Sequence, residues 1–199
     1  MNQKYFILYL VNVTLFSQVG LGHDVDDVGA NTHDIVEQAQ ALLQSFDASP
    51  HPESERLGFE FDRSKRTTID FFPLRYHKDI GATIGAMSDE SVKASHALLR
   101  EVLSDEGYLR VQGLFTLEDV LKSYAEDPAT SFRISDLYAI QLFGEPSSKT
   151  PWGMKFEGHH LSLNFTMAGA QLRGSPLFLG ANPEEVLQGP RRGLRVLGP

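Results

Sequence analysis

The chain has 199 residues, a formal net charge of −8 at pH 7, 41% apolar residues and no cysteine. This length and composition suit a single domain with an ordinary hydrophobic core. The lack of thiols excludes a disulfide framework, a thiolate metal site and a cysteine nucleophile. The negative charge repels phosphate, so we expect no nucleic acid among its partners.

The N-terminus has the three-part pattern of a secretory signal peptide. Lys4 supplies a positive charge, residues 5–16 form an apolar run, and Gly20 and Gly22 are small residues suited to cleavage. The run is shorter than the roughly 20 apolar residues that span a bilayer. We therefore predict a signal peptide over residues 1–22, a secreted chain, and no stable membrane anchor after cleavage. The alternative is a buried N-terminal helix or strand.

The next part of the chain predicts a helix followed by a linker. Apolar residues at helical spacing predict an amphipathic helix from Thr32 to Phe46. Residues 47–56 are rich in Pro, Ser and Glu, which is typical of a surface loop. We accordingly divide the chain into an N-terminal helix and linker over residues 23–56 and a domain over residues 57–199.

The middle of the chain predicts one hairpin and two helices. The β-rich runs Leu57–Asp62 and Thr67–Phe72 flank the charged residues 63–66, which favours a hairpin with a charged turn. Ser88 predicts the start of a helix that Gly107 ends. A shorter helix is predicted from Thr116 to about Ala125, beginning with a capping-box-like pattern.

Alternating apolar residues predict strands in the last third of the chain. Residues 138–142 alternate like a strand, although a short helix from Ser135 is also compatible with the sequence. Residues 160–167 alternate most clearly, and residues 176–179 predict a partner strand. One face of the 160–167 strand would carry His160, Ser162, Asn164 and Thr166. Helices and hairpins without regular βαβ alternation favour an α+β fold, with helices packed on antiparallel hairpins.

One stretch, residues 152–166 with the sequence WGMKFEGHHLSLNFT, resembles the family catalogued as domain of unknown function 3500. The FGEP sequence at residues 143–146 and FLGANP at residues 178–183 support the resemblance, which covers most of residues 62–197. Met154 departs from the pattern, since a second Trp is expected there. The resemblance implies no established activity.

Members of that family look considerably longer than this chain. They continue into a further helical segment and a second histidine-containing stretch near a Trp-Arg-Asp sequence. The resemblance therefore implies that this chain corresponds to the N-terminal portion of the family domain and is apparently truncated at Pro199. It also implies that longer members could supply an additional metal ligand.

The adjacent histidines of this motif are the candidate site. Neighbours on a regular strand point to opposite faces, so His159 and His160 would not chelate one metal together, and a metal would need a third ligand. We interpret His160 and Glu157 as candidate catalytic residues, since imidazole and carboxylate serve as general bases. His159 and His160 are also candidate ligands of a divalent metal. The alternative is that both imidazoles make structural hydrogen bonds beside Trp152.

The remaining motifs narrow the functional choices. Asn164 begins the sequon Asn-Phe-Thr and is a candidate glycosylation site. The sequence contains no G-x-S-x-G, P-loop, G-x-G-x-x-G or H-E-x-x-H motif, which disfavours the commonest hydrolase, nucleotide-binding and zinc-protease classes.

Two functional hypotheses are compatible with these observations. One is part of an exported metal- or His-dependent enzyme acting on a small molecule or peptide. The other is a non-catalytic secreted binding or structural module, or an inactive fragment.

Overall fold

The computed structural model describes residues 25–47, 57–73, 81–129 and 131–198, with side chains described from Thr32 onward. The predicted signal peptide lies outside the described residues. Within these ranges, no helix combines the length and apolar character needed to cross a bilayer.

The described part of the chain contains three α-helices. They are α1 (Val25–Asp47), α2 (Asp89–Val102) and α3 (Asp105–Ser123), and α1 packs against α2. The apolar stripe predicted for α1 is confirmed. It lies buried in the core that the other helices share, through Ile35, Ala39, Leu42 and Phe46. The helix begins seven residues earlier than the pattern predicts.

The boundary between α2 and α3 differs from the prediction. Ser88 caps α2 as expected, with its hydroxyl accepting a hydrogen bond from the Ser91 N–H at 3.1 Å. The helix ends at Val102 and not at Gly107, because Ser104 caps a new helix and accepts the Gly107 N–H at 3.1 Å. Two acidic residues follow this cap and stabilise the start of α3. The shorter helix predicted from Thr116 to Ala125 is therefore the second half of α3.

Within the described ranges, six strands form one mixed and mostly antiparallel sheet, which confirms the α+β class. They are β1 (Gly58–Phe59), β2 (Ala82–Thr83), β3 (Ala139–Phe143), β4 (Trp152–Gly158), β5 (Leu161–Ala168) and β6 (Gln171–Leu179). The strand order is β1-β3-β4-β5-β6, and β2 also pairs with β3. Only the β1–β3 pair is parallel among the described strands.

The hairpin predicted over Leu57–Asp62 and Thr67–Phe72 is wrong. Its first run pairs with β3 as the short strand β1, and Ser64–Thr67 form a 3-10 turn. The second run lies across the sheet, where Lys155 Nζ donates to the Thr68 carbonyl at 2.7 Å. Both runs have partners in the central sheet, so neither is available to pair with the other. We call residues 64–72 the covering segment.

The β4–β5 hairpin has an apolar face and a polar face, and the alternation of residues 160–167 predicts those of β5. The apolar face joins the helices in the core through Trp152, Met154, Phe156, Leu163, Phe165 and Met167. The polar face carries Lys155, Glu157, Ser162, Asn164 and Thr166. The covering segment lies over this polar face, so all of these side chains except that of Thr166 are buried.

Candidate functional site

His159 and His160 form the two-residue turn between β4 and β5. β4 ends at Gly158 and β5 begins at Leu161, and these two residues pair directly. His160, the second central residue of the turn, adopts φ +65°, in the left-handed region. The prediction that His160 shares a strand face with Ser162 is therefore wrong, because the strand begins one residue later. The turn also brings the two imidazoles together, with ring centroids 4.0 Å apart.

A buried carboxylate on α3 holds the His159 ring. His159 Nδ1 lies 3.0 Å from both carboxylate oxygens of Glu118, which is only 2% exposed. Arg133 Nη1 donates to Glu118 Oε1 at 2.7 Å, which balances the charge of the carboxylate. An ionised carboxylate only accepts hydrogen bonds, so Nδ1 of His159 carries the proton. Nε2 of the neutral ring is then the unprotonated, basic nitrogen.

The main chain of His159 is fixed by a second contact. The Tyr138 hydroxyl donates to the His159 carbonyl oxygen at 2.6 Å. Burial, together with the negative charge of Glu118, raises the pKa of Tyr138 well above its ordinary value, so the hydroxyl keeps its proton. Phe132 packs edge-on against the His159 ring at 5.5 Å. The His159 ring is therefore oriented by the Glu118 carboxylate, by the Tyr138 contact to its main chain and by the Phe132 ring.

His160 is held in its turn conformation and stays uncharged. Its main-chain N–H donates to the Phe71 carbonyl at 2.8 Å, and its main-chain carbonyl accepts the Gly180 N–H at 2.9 Å. Burial lowers the pKa of His160 to about 4, and the neighbouring His159 and Arg133 add to this effect. At neutral pH the ring is a neutral hydrogen-bonding group beside His159.

Glu157, the predicted catalytic carboxylate, does not lie with the histidines. Its Oε1 accepts hydrogen bonds from Ser162 Oγ at 2.9 Å and from the Asp70 N–H at 3.1 Å, and it forms an ion pair with Lys155 Nζ at 3.3 Å. Glu157 and the histidines have separate partners because the chain turns at His159 and β4 ends at Gly158. Burial raises the pKa of Glu157, while the Lys155 charge opposes that shift.

Glu118 was missed by the sequence reasoning, although the sequence carries a signal for it. Glu118 lies seven residues after Val111 and four after Leu114, so it continues the buried stripe of α3. A carboxylate at a core position of a helix needs a buried partner. That partner, His159, lies 41 residues away in sequence and is brought close only by the fold.

The candidate glycosylation residue Asn164 is 2% exposed. Its Nδ2, the atom to which a glycan would be attached, donates to the Pro176 carbonyl at 2.8 Å. The folded domain has no room for a sugar there, so glycosylation of Asn164 stays a prediction that requires modification before folding.

The two imidazoles have no third metal ligand nearby among the described residues. There, the one group of three potential ligands within reach of one another is His33, Asp34 and Glu37 on α1. All three are exposed, and nothing else marks them as a site. His159 and His160 thus offer at most two protein ligands, one fewer than the three of catalytic zinc sites.

A family model described as "Protein of unknown function (DUF3500)" matches residues 28–199. The chain belongs to this family. No curated protein and no solved structure matches it. The DUF3500 match contains α2, α3 and the whole sheet, and so includes Glu118, Arg133 and His159. In this DUF3500 chain, the two histidines of the GHHLSLNFT motif form the β4–β5 turn, and the residues that follow them form the first part of β5.

The low pKa of His160 predicts a specific pH dependence of stability for this DUF3500 domain. In the unfolded chain the ring binds a proton near pH 6.5, but in the folded domain only near pH 4, so stability falls as the pH drops through this window. The full shift corresponds to about 3 kcal/mol, which we reduce to about 2 kcal/mol because the ring is only half-buried. We expect His160→Asn, which tolerates the left-handed backbone, to remove this loss.

Urea unfolding of both proteins at about pH 7.5 and about pH 4.5 measures the effect. His33→Asn, at an exposed position on α1, is the matched control and should keep the wild-type pH dependence. Equal losses of stability in wild type and His160→Asn would contradict the prediction.

Proposed function

We propose that this chain is an exported enzyme in which His159 acts as a general base toward a small molecule or peptide. The observation that carries the proposal is the buried Glu118 carboxylate, 3.0 Å from His159 Nδ1. A carboxylate on Nδ1 holds an imidazole in the tautomer and orientation that leave Nε2 basic, as in acid–base triads. The same carboxylate stabilises the imidazolium once the proton is taken up.

Each neighbouring group has a role in this proposal. His159 Nε2 accepts a proton from a water or a substrate hydroxyl, and the oxygen left behind adds to the carbonyl carbon of an amide or ester. The C–N or C–O bond of this adduct then breaks, and the protonated His159 returns the proton to the leaving nitrogen or oxygen. Arg133 offsets the charge of the Glu118 carboxylate through their ion pair. His160, neutral at working pH, is a hydrogen-bond partner for the substrate beside the base. The reaction class is therefore hydrolysis or another proton-transfer reaction.

In a second form of this proposal, the enzyme uses a divalent metal bound at the same two histidines. A carboxylate behind the metal-binding imidazole is a common outer-sphere arrangement, and Glu118 would fill this role. His159 and His160 would supply two neutral nitrogens, so a third ligand would have to come from outside the described group. We favour the general-base form because it needs no further residue.

Export rests on the N-terminal pattern. The apolar run and small residues of 1–22 precede the family match, which begins at residue 28. A leader at this place is compatible with a mature chain that retains the whole matched region.

The alternative is a non-catalytic secreted binding or structural module. One observation favours it: the polar face of β5, which the sequence suggested as a site, is buried. Ser162 and Asn164 bond to Glu157 and the Pro176 carbonyl, so they line no cleft. This observation applies to the strand and not to the turn, where His159 has a convergent carboxylate.

Activity screening of His159→Gln tests the proposal. Purified protein is assayed by mass spectrometry against a panel of N-acyl amino acid amides, esters and peptides. We expect His159→Gln to lose about 100- to 10,000-fold in rate, the usual contribution of a general base.

The exposed His33→Gln is the control for this assay and should retain wild-type rates. Thermal unfolding must show that both variants are folded. Wild-type rates in His159→Gln would refute the general-base role. Absence of turnover by folded wild type across the panel would favour the module.

A further inference from the structure

A cavity of about 430 Å³ adjoins the candidate site. It lies between the end of α3 and the loop at residues 183–188. Its wall is mostly apolar and includes Leu121, Tyr124, Ala125, Arg133, Val186 and Leu187. The volume falls within the roughly 300–1,000 Å³ of small-molecule pockets.

Arg133 connects this cavity to His159. Its Nη1 donates to Glu118 Oε1, the carboxylate that holds His159, and its Nη2 donates to the Asn182 carbonyl at 2.9 Å. The same side chain lines the cavity and is 13% exposed. A guanidinium has five N–H groups, so donors remain for a ligand after these two contacts. A ligand in the cavity would therefore contact Arg133, which is joined to the proposed base through Glu118.

The charges around Arg133 indicate which ligand suits the cavity. Glu118 already balances the guanidinium, so an anionic ligand would bring a second negative charge into a poorly hydrated place. The net charge of −8 also disfavours anions. A carbonyl oxygen can accept an N–H from Arg133 without adding charge, and the apolar wall favours an apolar group beside it.

We propose that this cavity binds the apolar side chain of an uncharged amide or ester, whose carbonyl accepts a hydrogen bond from Arg133. This inference rests on the proposed function, because it names the substrate class of the His159 site. It assigns substrate selection to the cavity wall and proton transfer to His159.

Binding of N-acetyl-L-phenylalaninamide to the full chain tests the proposal. For a ligand of this size we expect a dissociation constant on the order of 1 mM by ligand-observed NMR or calorimetry. N-acetyl-L-phenylalanine is anionic and L-phenylalaninamide is cationic. Each should bind at least about 10-fold more weakly than the neutral amide. Equal binding of all three compounds, or no binding of the neutral amide at several times this concentration, would overturn the proposal.

Two pairs of variants locate the binding. Ala125→Trp fills the cavity and should weaken binding at least about 10-fold, whereas Ala129→Trp places the same ring at an exposed position outside it. Leu187→Asp changes the exposed rim and should weaken binding several-fold without disturbing the core. Leu109→Asp, on the exposed side of α3, is its control. Wild-type affinity in both Ala125→Trp and Leu187→Asp would also overturn the proposal.

His159→Gln separates this inference from the proposed function, since binding does not need the base. We expect this variant to bind the amide within about two-fold of wild type, as its side chain is not part of the wall. Binding without turnover in wild type would support the cavity and refute the enzyme. Turnover of amides or esters that Ala125→Trp leaves unchanged would support the enzyme and refute the cavity.

Discussion

Replacing Glu118 with Gln is expected to destabilise the domain by about 3 kcal/mol and to abolish general-base activity at His159. Glu118 is almost fully buried and contacts both Arg133 and His159. The amide keeps the shape of the carboxylate but leaves the guanidinium without its counter-charge. It also offers only one acceptor oxygen where the carboxylate offers two. Urea unfolding measures the stability, and the activity panel measures the rate.

Glu106→Gln is the matched control on the same helix. Glu106 is 75% exposed and pairs with Arg110 one turn away at 2.6 Å. Exposed pairs of this kind contribute less than about 1 kcal/mol, so this variant should remain close to wild type in stability. If Glu106→Gln and Glu118→Gln lost similar amounts of stability, the buried ion pair would not be the cause.

Replacing Lys155 with Met is expected to destabilise the domain by about 3 to 5 kcal/mol and to release the covering segment. Lys155 is 1% exposed, and its Nζ donates to the Lys65 carbonyl and to Thr68, besides pairing with Glu157. Met fills similar space but donates no hydrogen bond. The variant leaves Glu157 as a buried charge without its cation and removes the ammonium donor from the Thr68 carbonyl.

Hydrogen exchange across residues 64–72 and urea unfolding measure these two effects. Lys93→Met, at an exposed position of α2, should change stability by less than about 0.5 kcal/mol. The double variant Lys155→Met/Glu157→Gln should recover about 1 to 3 kcal/mol relative to the sum of the single changes, because the uncompensated charge is removed. Unchanged exchange in Lys155→Met would show that the covering segment does not depend on this contact.

The two ion-pair clusters explain why the β4–β5 hairpin has two distinct surroundings. On the polar face of the hairpin, several hydrogen bonds join Lys155 and Glu157 to the covering segment. These bonds offset the cost of burying both charges. At the turn, Glu118 reaches across from α3 to His159. The first cluster holds a segment in place, whereas the second orients a ring that is partly accessible.

The sequence by itself determined the features whose signals lie within a few residues. The apolar stripe of α1, the Ser88 cap and the alternation along β5 each depend on local periodicity or on one hydrogen bond to a near neighbour. The α+β class follows from the order of these elements, and the family follows from the motif around His159. The sequence reveals these features because the periodicity of a helix or a strand relates residues only a few positions apart.

Only the tertiary structure decided which residues meet at the site and which face is covered. Glu118 and His159 are 41 residues apart, and Asp70 and Glu157 are 87 apart, so no periodicity relates them. The position of the turn at His159 and His160 decided the rest. His160 does not share the face of Ser162, because its φ of +65° places it in the turn and side-chain alternation holds only along extended backbone. Packing of α3 and of the covering segment against the hairpin therefore fixed the partners that local sequence left open.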